Sequence, residues 1–164
     1  TSHEGSVMTV VRATLATLSI LAFGACATAP PNLNDDMIIP GERVGNVELG
    51  MSLAELFAVK GTPRKTIPIA GTEATSYNYD GLTVGADDKV YWIIARDERF
   101  RTPAGVAKGS EQIFARGVYG TPRCVVTRGD ITVYDYNDVY FEVDNDTGKV
   151  SQIGIQKNTQ TCNG

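Results

Sequence analysis

Residues 50–64 read GMSLAELFAVKGTPR, and a related stretch, GSEQIFARGVYGTPR, occupies residues 109–123. Two further matches follow them: Tyr77-Asn-Tyr79 returns as Tyr134-Asp-Tyr136, and the run beginning Lys89-Val90 returns as one beginning Lys149-Val150. The offsets of the three matches are 59, 57 and 60 residues. Because small changes in offset are what loop insertions and deletions leave in a duplicated fold, the chain is predicted to contain two copies of one unit.

Each copy is predicted to begin with a short helix. In the first copy, Ser52 and Glu55 have the spacing of a capping box, and three apolar residues recur at helical spacing: Leu53, Leu56 and Phe57. Gly61 is placed to end this helix. In the second copy Gly109 or Ser110 is the expected cap, and the expected apolar stripe is Ile113, Phe114 and Val118.

Strand-like segments separated by turn residues follow each Gly-Thr-Pro sequence. The predicted fold class is α+β, with two tandem modules, each a short helix or helix pair packed on an antiparallel sheet of three to four strands. The first module is expected over residues 41–97. The second is expected over residues 98–164 and contains a disulfide.

The N-terminal segment predicts export. Arg12 precedes an apolar run over residues 13–25 that ends in small residues, which is the layout of a signal peptide. The run is shorter than the roughly 20 residues that a membrane-spanning helix needs. Residues 1–25 are therefore predicted to be a signal peptide and leader.

Phe23-Gly-Ala-Cys26 resembles a lipobox, so Cys26 is the predicted lipidation site. Cleavage after Ala27 or Ala29 without lipidation is the alternative. Residues 26–40, which are proline-rich and polar, are predicted to be the lipidated cysteine and a flexible tether. Since Ala27 rather than an aspartate follows the cysteine, the resemblance implies sorting to the periplasmic side of a Gram-negative outer membrane; a secreted protein is the other possibility.

The three cysteines divide into one special thiol and one pair. With Cys26 assigned to the lipid, Cys124 and Cys162 are predicted to form a disulfide in an oxidising compartment. The alternative, that these two are reactive thiols, has less support because they lack the Cys-x-x-Cys spacing that lowers a thiol pKa.

Charge and motif content argue against several functions. The 19 acidic and 15 basic residues include no basic block, so no nucleic-acid partner is expected. The one histidine, His3, lies ahead of the leader, which leaves no Ser-His or Cys-His nucleophile and no histidine-bound metal after processing. Asp144-Asn-Asp-Thr-Gly148 faintly resembles a calcium loop, but a hairpin turn is expected there. We therefore expect no enzyme activity, catalytic residue, metal, cofactor or small-molecule substrate.

Aromatic residues on the strands are the predicted partner-binding residues, because Trp and Tyr dominate binding hot spots. They are Tyr77, Tyr79, Tyr91, Trp92, Tyr134, Tyr136 and Tyr140. The two Tyr-x-Tyr pairs could instead pack on the helix of their own module. The run Val90–Ala95 is apolar on both faces, so its second face is expected to be covered by the second module, or else by a partner.

The unit formed by Leu49-Gly-Met-Ser through Gly-Thr-Pro63, the paired tyrosines and Asp88-Lys-Val90 resembles the SmpA/OmlA (BamE) outer-membrane lipoprotein family. The tandem arrangement resembles the two-module fold of β-lactamase inhibitory protein. Together the two units cover roughly residues 41–157. The resemblance implies an α+β layer fold and a role in gripping another protein.

The expected function is that of a non-enzymatic envelope lipoprotein that binds another envelope protein, in outer-membrane assembly or maintenance, and contacts the membrane through its lipid anchor. Two alternatives remain open. One is a secreted proteinaceous inhibitor of an enzyme, and the other is a structural component of the envelope.

Overall fold

The computed structural model of the protein describes residues 35–157, which contain two short helices and eleven strands. In chain order these are β1 (Ile38–Ile39), β2 (Arg43–Val44), β3 (Val47–Glu48), α1 (Leu53–Lys60), β4 (Lys65–Pro68), β5 (Thr75–Tyr79), β6 (Leu82–Ala86), β7 (Val90–Ala95), α2 (Gln112–Tyr119), β8 (Cys124–Arg128), β9 (Ile131–Asp135), β10 (Val139–Asp144) and β11 (Val150–Gln156).

Eight strands form one continuous antiparallel sheet in the order β4-β5-β6-β7-β11-β10-β9-β8. The first repeat supplies one half of it and the second repeat supplies the other. The halves join where β7 pairs with β11, with Ile93 opposite Ile155. The predicted fold class, two helix-on-sheet modules with separate sheets, is therefore wrong. The described chain is mostly antiparallel β, with this large sheet and a small sheet of β1, β2 and β3.

The reason lies in the edges that two separate sheets would leave. Each half alone would expose the backbone N–H and C=O groups of its last strand, β7 or β11, which is a template for aggregation. β7 has no proline or charged residue to protect such an edge. Pairing β7 with β11 satisfies both edges at once. The second repeat thus extends the sheet sideways, and within residues 35–157 it does not cover the second face of β7.

The hydrophobic core lies on one face of the large sheet. Alternate residues of the central strands point into it, and both helices and the small sheet contribute side chains that cover it. The largest fully buried side chains include Phe141, Ile38, Leu56, Leu82, Ile93, Ile153 and Ile155. Because side chains of this size each gain about 1.5–3 kcal/mol on burial, this single shared layer holds the two repeats together.

Helix α1 has the predicted capping box. The Ser52 hydroxyl accepts a hydrogen bond from the Glu55 N–H at 3.3 Å, and the Glu55 carboxylate accepts one from the Ser52 N–H at 2.8 Å. The Ser52 N–H and hydroxyl, which both donate to the Glu55 carboxylate, lower the pKa of Glu55. The helix ends before Gly61, whose φ of 72° is costly for any other residue.

Helix α2 differs from the prediction. Its N-cap residue is Glu111, which makes no side-chain capping bond. The expected apolar stripe is wrong because its residues face outward: Ile113 is 70% exposed, Phe114 45% and Val118 39%. Ala115, at the position equivalent to Leu56 in α1, is the buried residue of this helix. The strong apolar periodicity of α2 therefore marks an exposed face.

The segments before and between the repeats also join the core. Ile38 is fully buried, and its N–H donates to the Arg101 carbonyl at 2.8 Å, so structure is present within the last residues of the predicted tether 26–40. In the connection between the repeats, Phe100 and Val106 are buried. Cys26, Cys162 and the predicted signal peptide 1–25 lie outside the described residues, and those predictions stay untested.

Over the described part of the chain, neither helix has the length and apolar content to cross a membrane.

Candidate functional site

The face of the large sheet opposite the core, called here the helix-free face, is the candidate site. Within residues 35–157, no helix or strand packs over it, since α1, α2 and the small sheet all contribute to the core on the other side. The register aligns one residue from each strand across this face: Lys65, Asn78, Thr83, Ile94, Gly154, Tyr140, Asp135 and Cys124. The helix-free face therefore extends through both repeats, although Thr83 and Asp135 on it are buried.

Two aromatic rings lie against glycines at the centre of this face. Trp92 on β7 lies over Gly85, directly opposite it on β6, and Tyr140 on β10 lies over Gly154, directly opposite it on β11. A Cβ at either glycine would overlap the ring. Half-buried Ile94 lies between them, beside Gly154 in the register. The glycines thus form seats that hold both rings in fixed positions.

The environment of Tyr140 is strongly perturbed. Burial raises the pKa of the Tyr140 hydroxyl well above its usual value, and the negative charges of Glu142 and Asp135 raise it further. Ionisation of a phenol next to carboxylates and away from water is costly. The Tyr140 hydroxyl therefore stays neutral well above the pH at which an ordinary tyrosine ionises.

Polar groups flank the rings on the first-repeat side. The Asn78 side-chain oxygen accepts hydrogen bonds from the Thr83 hydroxyl at 2.8 Å and from the Arg96 guanidinium at 2.7 Å. Arg96 is exposed and Thr83 is buried. The network orients one arginine at the margin of the helix-free face.

On the second-repeat side, Asp135 is fully buried and pairs with the Arg123 guanidinium at 3.3 Å. The Asn137 N–H also donates to the Asp135 carboxylate at 2.7 Å. Next to Asp135 in the register is Cys124, which is disulfide-bonded. The two other cysteines, Cys26 and Cys162, lie outside the described residues, so the pairing of Cys124 with Cys162 stays a prediction, while Cys124 itself is not a reactive thiol.

Four of the seven predicted partner-binding aromatics lie on the core side of the sheet. Tyr77, Tyr79, Tyr134 and Tyr136 are half-buried against the core. The Tyr79 hydroxyl donates to the Gly61 carbonyl at 3.3 Å, and the Tyr136 hydroxyl donates to the Gly120 carbonyl at the same distance. The tyrosines therefore pack within their own repeats, and two of them bind the end of the helix in the same repeat.

The remaining three are Tyr91, Trp92 and Tyr140. Tyr91 is 38% exposed at an irregularity where the register of β6 and β7 shifts, and its ring meets that of Trp92 edge to face at 6.1 Å. Trp92 and Tyr140 share the helix-free face. The sequence interpretation missed Ile94, Gly85 and Gly154, although glycines inside apolar strands are a recognised signal of close packing against a strand.

Metal-ligating residues are the next feature of the described part of the chain. No group of three or more His, Cys, Asp or Glu in residues 35–157 is placed to hold a metal ion. The segment with a faint calcium-loop pattern is a hairpin turn, in which the Asp144 carboxylate accepts hydrogen bonds from the Thr147 N–H at 2.8 Å and hydroxyl at 3.0 Å. These bonds lower the pKa of Asp144.

No family model matches the chain, and no curated protein matches it in sequence. Solved structures do resemble it. An extracellular protein containing an SCP domain from Bacillus anthracis is 15% identical with a TM-score of 0.50, over 66% of this chain and 44% of that one. The uncharacterized protein yfeY from Escherichia coli is 13% identical with a TM-score of 0.52, over 72% of this chain and 97% of that one.

A cysteine-rich secretory protein from Staphylococcus aureus is 15% identical with a TM-score of 0.49, over 76% of this chain and 49% of that one. This chain thus spans less than half of the length of the Bacillus and Staphylococcus proteins. At these identities the likeness to the first two proteins concerns the fold alone.

The resemblance to the SmpA/OmlA (BamE) family and to β-lactamase inhibitory protein is wrong. No family model matches, and the similar structure from Bacillus anthracis is described as containing an SCP domain. The physical reason is that the quoted matches are a capped helix and a Gly-Thr-Pro exit. Such short motifs describe how a helix begins and ends in many folds.

Proposed function

We propose that this chain is an exported, non-enzymatic protein that binds another protein through the helix-free face. The observation that carries the proposal is the ring of Trp92, held on Gly85 beside half-buried Ile94, with the more deeply buried Tyr140 on Gly154 next to them. A ring already held in place loses little conformational entropy when a partner covers it. Trp and Tyr are also the residue types that supply most binding energy in interfaces.

A protein is the partner that best suits the shape of this surface. The helix-free face is a broad sheet surface, whereas small-molecule sites are concave and enclose most of the ligand. It combines apolar Trp92 and Ile94 with polar groups at the margins, among them Arg96 and Glu142. An apolar centre with a polar rim is the usual anatomy of a protein interface.

Export is supported by two features. Cys124 is disulfide-bonded, and disulfides persist in oxidising compartments outside the cytosol. The Bacillus anthracis protein of similar fold is described as extracellular. The finer proposal is that Cys26 is lipidated and tethers the protein to the periplasmic side of an outer membrane, so that its partner is another envelope protein.

Site-specific photo-crosslinking in cells tests the binding proposal. A photoreactive residue at position 94, on the helix-free face, is expected to capture a defined protein partner. The same residue at position 58, exposed on α1, should not capture that partner. Trp92→Ala should reduce the yield from position 94 at least tenfold. Equal capture from positions 94 and 58, or capture unaffected by Trp92→Ala, would contradict the proposal.

The identity of the captured protein separates the possible functions. An envelope or β-barrel protein supports an assembly or maintenance role, and a soluble secreted enzyme supports the inhibitor alternative. Metabolic labelling with a palmitate analogue tests the anchor: the wild type should incorporate label and Cys26→Ala should not. A wild type that incorporates no label would contradict lipidation of Cys26 and favour a secreted protein without a lipid anchor.

A further inference from the structure

The two outer edges of the large sheet, β4 and β8, occupy equivalent positions in the two repeats. The Gly-Thr-Pro-Arg sequences align Thr66 with Val125 and Pro68 with Thr127. Both strands end the sheet in the described residues, each with a neighbour on one side. The β4 edge can therefore be compared directly with the β8 edge. Because the two strands hold equivalent positions in the fold, differences between them reflect their sequences.

The β4 edge is blocked. The Ile69 N–H donates to the Ala74 carbonyl at 2.9 Å, towards β5, so by alternation the backbone groups of Thr66 and Pro68 point away from the sheet. Pro68 has no N–H to offer there. Proline at an edge is a common protection against pairing with another chain.

Among residues 35–157, nothing protects the β8 edge in this way. The equivalent residues, Val125 and Thr127, both have a backbone N–H, and the alternation points both away from β9. Val125 is 51% exposed and Thr127 is also exposed. Where the first repeat has a blocked edge, the second offers a complete set of outward donors and acceptors next to an exposed apolar side chain.

Helix α2 changes in the same direction. Ala54 and Glu55 of α1 correspond to Ile113 and Phe114 of α2, both of which are exposed. Because Phe114 stands where α1 has Glu55, α2 lacks the capping box that stabilises α1. The second repeat therefore has a less well capped helix and displays large apolar side chains to solvent. Exposed apolar clusters of this kind mark interaction surfaces.

We propose that a second copy of this chain covers this surface, pairing β8 antiparallel with its own β8. Pairing centred on Val126 places Val125 of one copy opposite Thr127 of the other, with Arg128 opposite Cys124, so no like charges meet. A twofold axis perpendicular to the sheet relates the copies, as closed dimers require. The product is a sixteen-stranded sheet with the two α2 helices side by side.

The geometry favours a second copy over an extended segment of a different protein. Antiparallel pairing about this axis keeps both helix layers on the same side of the sheet, so the exposed Ile113 and Phe114 of each copy lie on the side that carries the α2 helix of the other. The same arrangement already exists inside the chain, where β7 and β11 pair antiparallel and both helices contribute to one core. An isolated extended segment would satisfy the β8 backbone but leave much of the α2 surface exposed.

Sedimentation velocity on the full chain, purified in the form that the cell makes, tests the proposal. The wild type is expected to be a dimer that dissociates on dilution. Thr127→Pro copies the blocked β4 edge and should shift the midpoint of dissociation at least tenfold towards monomer. Thr66→Pro, at the other outward position of the blocked β4 edge, is the matched control and should leave the midpoint unchanged.

A second variant separates dimer loss from misfolding. Glu111→Ser with Phe114→Glu rebuilds in α2 the capping box of α1. This variant should be monomeric, and its melting temperature should exceed that of the wild type measured at a concentration where the wild type is also monomeric. A wild type that is monomeric at all concentrations would overturn the proposal. So would a dimer that survives both the Thr127→Pro and the Glu111→Ser/Phe114→Glu changes. Because Trp92 and Ile94 lie elsewhere, partner capture from position 94 is independent of this outcome.

Discussion

The indole ring of Trp92 lies over Gly85, its direct opposite on the neighbouring strand, so that residue 85 has no room for a side chain. Glycine inside a strand weakens the strand because it loses more backbone entropy on folding and packs no side chain of its own. Here the ring of the opposite residue fills the space. The same relationship recurs between Tyr140 and Gly154 in the second repeat.

Gly85→Ala should displace the Trp92 ring, because the new methyl group overlaps the indole. We expect a loss of about 1–3 kcal/mol in the free energy of unfolding, as in other overpacked sites. The chain has one tryptophan, so its fluorescence emission reports the displacement directly. Ser76→Ala, opposite Gly85 on β5, is the control and should leave the emission maximum unchanged. An unshifted emission spectrum in Gly85→Ala would mean that the Trp92 ring is not held against residue 85.

Gly117→Ala should stabilise the protein. A Cβ at this position in α2 meets nothing within 4 Å, and alanine is the better helix former by about 1 kcal/mol. The urea midpoint should rise accordingly. Gly120→Ala, at the end of the same helix, should lower it instead, since Gly120 has a φ of 77°. Two shifts of the same sign would contradict the described helix boundary.

The two helices should respond differently to the loss of their N-cap side chains. Ser52→Ala removes the capping bond of α1 and should cost about 1 kcal/mol of unfolding free energy. Glu111→Ala at the equivalent position of α2 should cost much less, because no side-chain capping bond is lost. Chemical denaturation of the two variants side by side measures the difference. Equal losses would indicate that α2 is capped in solution.

Tyr140 should make the protein sensitive to alkali. Burial raises the pKa of Tyr140 in the folded state above the value of about 10 that applies when the chain unfolds. The stabilising contribution is complete below pH 10 and is lost as pH rises towards the folded pKa, because only the unfolded chain ionises. Tyr140→Phe should therefore show a smaller drop in Tm between pH 9 and 11. If Tm falls equally with pH in the wild type and in Tyr140→Phe, the alkali sensitivity does not come from Tyr140.

Cys124 should be paired with Cys162. β11 lies three strands from β8, a distance of about 14 Å, and the six residues after Gln156 can span about 20 Å. Non-reducing peptide mapping should recover this pair, and Cys162→Ser should expose a Cys124 thiol and cost about 2–4 kcal/mol. Cys26→Ser, the control, should leave the bond intact. Recovery of a peptide linking Cys124 to Cys26 would contradict both the disulfide and the lipid assignments.

The local structure of the first repeat was predictable because it depends on neighbours in sequence. Ser52 and Glu55 cap the helix through groups three residues apart, and Gly61 ends it through its own backbone conformation. The global arrangement was not predictable in this way. Whether β7 pairs with β11 or ends its own sheet depends on contacts between distant segments, which periodicity does not encode.

The candidate site was predicted in part. Residue type identified Trp92 and Tyr140, but it gave the same weight to Tyr77 and Tyr134, which face the core. Alternation along a strand says which residues share a face, not which face the helices cover. For α2, the pattern of Ile113, Phe114 and Val118 correctly located an apolar surface but could not tell burial from exposure.

The pairing of β7 with β11 imposes an order on folding. During synthesis, β7 appears well before its partner, so for that interval its apolar residues and unpaired backbone groups are accessible to other chains. Contacts between segments so far apart in sequence also slow folding. A nascent chain in this state is prone to aggregate unless a chaperone holds it. Any fragment that stops short of β11 should therefore be recovered as insoluble material, even though it contains a complete first repeat.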